Sequence, residues 1–187
     1  MRIRRLLFFL AAILPAISWS GCAHYQLGTD GKLSFQSIYV AMVHDSANVP
    51  QATSLFTTQI REALLKDGRV QLTNSPESAD VTLTVDLRNF ERRVATVERA
   101  DTGLARSFDL DLEAVCTLVD NHTNKMLFEK RPITVTKEVF TTPTQIQHGP
   151  NGQPIFESNQ TQAEYQTMPL LAQSLGDRVA HAVLDVW

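Results

Sequence analysis

The sequence predicts an α+β domain, a two-layer sandwich in which a mostly antiparallel sheet of four to five strands carries two helices packed on one face. Three observations lead there. Residues 81–88 alternate apolar and polar side chains with a period of two. Two other segments, near 50–68 and 168–186, repeat apolar residues at helical spacing. The chain of 187 residues, 43% hydrophobic and 20% charged, has the balance of one ordinary globular domain. With the order strand, helix, four strands, helix, the apolar faces are satisfied only if both helices lie on the same side, leaving the other side comparatively polar.

The elements follow in order. In SIYVAMVHD, Ile38, Val40 and Met42 share one face, which sets a first strand at about 35–44. A helix comes next. Phe56, Ile60, Ala63 and Leu64 form its apolar stripe, Pro50 lies near its start, and Asp67-Gly68 ends it with a glycine for the left-handed cap. The short strand RVQLT precedes the clearest alternation, Val81, Leu83, Val85 and Leu87 against Thr82, Thr84, Asp86 and Arg88. That alternation slips near Asn89 and Phe90, and Asp101-Thr102-Gly103 supplies the turn of a hairpin. The return strand, Phe108–Val119, places Phe108, Leu110, Leu112, Ala114, Cys116 and Leu118 on one face and Asp109, Asp111 and Glu113 on the other. A last strand at about Met126–Val139 contains Pro132, which removes a ladder hydrogen bond and places this strand at an edge or a bulge. From about 140 to 163 the composition turns to Thr, Gln, Asn, Pro and Gly, which reads as a flexible loop. Met168, Leu171, Leu175, Val179, Ala182, Val183 and Val186 then form the stripe of the second helix. The domain runs from 35 to 187.

Before it, MRIRR, LLFFLAAILPAI and SWSGC form the three parts of a secretory signal over residues 1–21. Its apolar run, Leu6 to Ile17, falls short of the roughly 18 residues that cross a bilayer as a helix. Two processing routes stay open. Conventional cleavage after Ser18 and Ser20 yields a soluble product. Alternatively Ser20-Gly21-Cys22 resembles a bacterial lipobox, with Trp19 where leucine is usual, and Cys22 becomes a lipidated first residue followed by a spacer over 22–34. We favour lipidation, because Cys22 directly follows Gly21 at the end of an apolar segment of signal length, and several acyl chains at about 0.8 kcal/mol per buried CH2 would then hold the domain on a membrane. A Cys22–Cys116 disulfide is the bland alternative in an oxidising compartment. Against it, Cys116 reads as a small core residue on the apolar face of its strand.

Charge and motifs narrow the function. Seventeen basic and 20 acidic residues give a net charge of −3, and loss of the leader with Arg2, Arg4 and Arg5 leaves 14 against 20, so no broad nucleic-acid footprint is expected. His24, His44, His122, His148 and His181 are scattered without metal-ligand spacing, so no metal or other cofactor is expected. There is no nucleophile elbow, phosphate-binding loop or dinucleotide fingerprint, and the chain reads as a binding protein and not an enzyme. Asp109 and Asp111 share a strand face, but ion pairing with Arg88, Arg92 and Arg93 across the hairpin accounts for them better than acid–base chemistry. Asn121-His122-Thr123 and Asn159-Gln160-Thr161 match the glycosylation triplet, which carries no meaning in a bacterial lipoprotein.

Taken together, GCAHYQLG, SIYVAMVHDSANVP, ALLKDGRVQLT, SADVTLTVDLRNF and LVDNHTNKMLFEK resemble the LptE family of lipopolysaccharide-assembly lipoproteins over nearly the whole chain after the leader. The resemblance implies an anchored two-layer domain at the periplasmic face of the outer membrane. It would plug a large LptD-like β-barrel translocon, help it assemble, and assist lipopolysaccharide to the outer leaflet. Ala23 after Cys22, in place of Asp, resembles an outer-membrane sorting context. On this reading Arg88, Arg92, Arg93 and Arg99 would contact lipopolysaccharide phosphates, with ion pairs to neighbouring carboxylates as the competing account. The runner-up is an auxiliary lipoprotein of a periplasm-spanning lipid or solute ABC transporter, which can share the same architecture.

Overall fold

The period-two segment builds the central strand of the molecule. The computed structural model describes residues 33–49, 52–97, 105–141, 143–148, 154–158 and 160–185. The expectations for the leader and spacer up to residue 32, Cys22 and His24 included, and for Pro50, Arg99, the 101–103 turn and Val186 lie outside them. Strand β4, Val81–Val97, buries Val81, Leu83, Val85 and Leu87 on one face. It pairs antiparallel with β5, Ala105–Asp120, which pairs antiparallel with β6, Met126–Phe140. On the far side of β4 lie β1, Ser37–Val40, and then β3, Gln71–Thr73, both in parallel register. A two-residue strand β2, His44–Asp45, continues alongside β4.

The sheet therefore has six strands in the order β3-β1-β4-β5-β6 with β2 beside β4, and it is mixed. The expected antiparallel pairing holds for β4, β5 and β6. The other half is parallel because helix α1, Ala52–Asp67, separates β1 from β3 and returns the chain in the same direction, as parallel neighbours require. Phe56, Ile60 and Leu64 are fully buried along α1, and Gly68, at φ +79°, takes the left-handed position after its last residue. Each such side chain contributes about 1.5–3 kcal/mol by leaving water.

The first strand is shorter than its alternation suggested. The chain breaks step after Val40, so that Met42 is 73% exposed and Val43 takes the inward position. The Val43 amide is held by Thr57 Oγ1 of α1 at 3.0 Å, and the Ala41 amide by the Leu83 carbonyl at 3.0 Å. Asp45 accepts from the amides of Ala47 and Val49 and shapes the turn into α1. At the other end of β1, Asp80 accepts from the amides of Gln36 and Ser37, both at 2.8 Å, and lies 3.2 Å from His122 Nε2. The two backbone amides hold its carboxyl well below the usual carboxylate range.

Where the alternation slips, β4 carries a bulge. Leu87 faces Ala114 and Asn89 faces Glu113, so Arg88 is the extra residue. Beyond it, the partners of Leu112, Leu110 and Phe108 are Phe90, Arg92 and Val94, which places these three on the helix side. Asn89, Glu91 and Arg93 consequently face the open side. Strand β6 is an edge, as Pro132 suggested, and Lys130, at φ +48°, accompanies a shift of register against β5.

Residues 140–163 differ from the loop expected there. Pro143–His148 (β7) and Pro154–Ser158 (β8) pair antiparallel in a separate two-stranded sheet, and helix α2, Gln160–Leu184, begins within the stretch. The polar composition conceals this because hairpin pairing draws on backbone groups. Helix α2 buries Met168, Leu171, Leu175, Val179 and Val183, as expected, whereas Ala182 is only partly covered. Gly176 lets the two helices meet closely, because a Cβ there would stand 2.6 Å from the Gln59 carbonyl oxygen of α1. Both helices and the inner sheet face form one apolar core, and Cys116 is buried in it as a free thiol whose pKa burial pushes up to about 12.

Candidate functional site

The bulge at Arg88 decides where the arginines of β4 point. Arg93, on the open face, reaches Asp111 at 2.6 Å and Asp109 at 3.8 Å on β5, the cross-strand pairing expected of it. Arg88 turns to Asp86 of its own strand at 2.8 Å, and not to the carboxylates of β5. Arg92 departs further, because it lies on the helix side. Its Nε and Nη2 donate to Glu164 Oε2 and Oε1 near the start of α2, at 2.7 and 2.5 Å. Its guanidinium also stacks 4.7 Å from the centre of the Phe90 ring. The structure thus does not gather Arg88, Arg92 and Arg93 into one cluster: two stand on the open face and one is clamped beneath the helix.

Glu164 is the functional partner that the sequence reading missed. It is only 7% exposed, and the forked pair with Arg92 gives a buried carboxylate both of its partners. Hydrogen bonding to Glu164 raises the Arg92 pKa above its already high ordinary value. A signal was present, since Glu164 stands four residues before Met168 on the apolar stripe of α2. A carboxylate on that stripe requires a cation opposite it.

The open face is acidic. Asp86, Glu91, Asp109, Asp111, Glu113 and Glu138 stand there with Arg88 and Arg93, and two direct cross-strand pairs are of like charge: Glu91 with Asp111 and Asp109 with Glu138. Thr136 Oγ1 donates to Asp111 at 2.6 Å. A shallow groove of about 560 Å³ beside the start of α1 is lined by Met42, Asp45, Val49, Thr53 and Thr57 and contains none of the arginines. Among the described residues no group of three or more His, Cys, Asp and Glu is arranged to hold a metal ion, and no helix is long and apolar enough to cross a membrane.

These features define a two-layer α+β domain that presents a long hairpin and a charged open sheet face while its helices close the other side. A family comparison makes that class specific. The chain belongs to the LptE family, described as lipopolysaccharide-assembly, whose pattern matches residues 35–179. Among solved structures, a Xanthomonas campestris protein is similar at a TM-score of 0.55 and 13% identity, covering 83% of this chain and 86% of that one, and so shares the fold. A lipoprotein B from Nitrosomonas europaea aligns at 0.48 and 16%, covering 86% and 87%. The rare lipoprotein B of Shewanella oneidensis aligns at 0.44 and 14%, covering 80% and 92%. A search of curated proteins returns no match.

Proposed function

We propose that the chain is a lipid-anchored outer-membrane protein, tethered at Cys22, that plugs and helps assemble an LptD-like β-barrel translocon and assists lipopolysaccharide on its way to the cell surface. The observation that carries this reading is the family match over residues 35–179, which names lipopolysaccharide assembly. Dimensions support it. Five strands side by side at about 4.8 Å spacing span about 20 Å, a width that the lumen of a barrel of 22 or more strands accommodates. A polar, charged sheet face suits the hydrated interior of such a barrel. The domain acts by contact and not by catalysis.

Within this reading Arg88 and Arg93 exchange their carboxylate partners for lipid phosphates, which guanidinium groups bind bidentately, and Arg99 joins them. Arg92 is committed to Glu164 and is not part of the lipid contact. The test is purification of the tagged full chain from solubilised outer membranes, followed by lipopolysaccharide capture. A stoichiometric barrel is expected with the chain, and Arg88→Glu with Arg93→Glu is expected to lower lipopolysaccharide capture several-fold while the protein stays folded. Recovery with an inner-membrane transporter instead of a barrel would overturn the plug reading, and undiminished capture would remove the arginine contact.

A further inference from the structure

We propose that the outer edge of β6 at Thr136–Phe140 docks an extended, basic segment of a partner polypeptide by strand addition. The inference is independent of the barrel reading and rests on two observations: unpaired backbone groups, and a carboxylate left without a counter-charge.

The backbone comes first. The Thr141 amide donates to the Arg106 carbonyl at 2.9 Å, and the register pairs Val139 with Phe108 and Lys137 with Leu110. In an antiparallel ladder this turns the backbone groups of 135, 137 and 139 toward β5 and those of 134, 136, 138 and 140 outward. The Thr134 carbonyl agrees, since it accepts from Arg178 Nη1 at 2.7 Å and not from β5. Among the described residues nothing hydrogen-bonds the outward amide and carbonyl of Thr136 or Glu138. The first half of β6 is protected against strand addition by the left-handed Lys130, by Pro132, and by Arg131, which folds over Phe128 to the Ala182 carbonyl. The second half has no proline, no bulge and a regular register from Ile133 to Phe140. The opposite edge, β3, is three residues long and offers far less.

Charge selects the occupant. Glu138 lies directly across from Asp109, and Asp109 shares Arg93 with the closer Asp111. Glu138 has no ion pair among the described residues. A strand added at this edge would place a side chain about 5 Å from Glu138, where a lysine or arginine relieves the like-charge pair. The β6 edge of a second copy does not supply it. The open-face side chains of β6 are Thr134, Thr136, Glu138 and Phe140, none of them basic, and Lys137 belongs to the helix side. Strand addition takes affinity from the main chain and specificity from alternate side chains, so the ligand class is an extended polypeptide with a cation in the register of Glu138.

The test uses the full chain and short synthetic peptides that alternate valine with threonine and either lysine or glutamate, read by fluorescence anisotropy and by amide exchange. The lysine peptide is expected to bind at least tenfold more tightly than the glutamate peptide and to slow exchange at the Thr136 and Glu138 amides. Glu138→Lys should reverse that preference. Thr136→Pro should abolish binding without loss of fold, because the missing amide points away from β5. If Thr136→Pro does not fold, the Glu138→Lys reversal decides alone. Equal binding of the two peptides, protection located elsewhere, or concentration-dependent protection of β6 by the chain itself would each overturn the proposal.

Discussion

Replacing Arg92 by alanine removes both hydrogen-bond partners of Glu164 at once. Breaking a buried pair from one side costs about 3–5 kcal/mol, because the remaining charge is left without compensation. Arg92 is 42% exposed along its side chain, however, so water reaches its place in the variant and the cost falls to about 2 kcal/mol. Part of that loss is packing, since the guanidinium also covers Phe90. In a domain of this size the expected fall in Tm is about 4–8 °C. Urea denaturation of the parent, Arg92→Ala, Glu164→Leu and the double variant at pH 7 measures the loss and the coupling of the pair. The double variant should be closer to the parent than Arg92→Ala is. A loss below about 0.5 kcal/mol would refute the reasoning.

Two further outcomes are expected. Gly176→Ala should destabilise the fold by about 1–2 kcal/mol although alanine is the better helix former, because its methyl group would meet the Gln59 backbone of α1 at 2.6 Å; a rise in the urea midpoint would contradict the close helix crossing. Asp80→Asn should cost about 1 kcal/mol at pH 7 and flatten the acid limb of the stability curve. The native carboxyl titrates below its unfolded value near 4, so its contribution is complete above that value and is lost as the pH falls further. Parallel acid limbs for parent and variant would show that the amides of Gln36 and Ser37 do not depend on that charge.

The inner half of the sheet was legible in the sequence because burial imposes a strict period there. Val81 to Leu87 and Phe108 to Leu118 show it without interruption, and the slip near Asn89 and Phe90 coincides with the bulge at Arg88. The parallel half was not legible, since neither Ile38 nor Leu72 carries any mark of the direction of its neighbour. Met42 misled because a local hydrogen bond to Thr57 outweighed the alternation. The β7–β8 hairpin stayed hidden in a polar composition, as main-chain pairing leaves little trace in side chains. For the arginines, residue type and strand were readable but orientation was not. A single extra residue at 88 reverses the faces from Asn89 to Val94, and the partner of Arg92 stands 72 residues further along the chain.

That extra residue separates two reading frames of β4, Val81–Leu87 and Asn89–Val94. Upstream, the frame is dictated by the core, where each inward side chain is locked by its neighbours. Downstream, the arm uses the opposite phase, and its inward positions can hold an arginine or an exposed valine such as Val94 at no expense to the core. The open-face residues of the arm, Asn89, Glu91 and Arg93, can therefore change without touching the core, whereas Arg92 must keep its hold on Glu164. Deletion of the spliced residue would merge the frames, carrying Arg92 away from Glu164 and turning the acidic row of the arm beneath the helix.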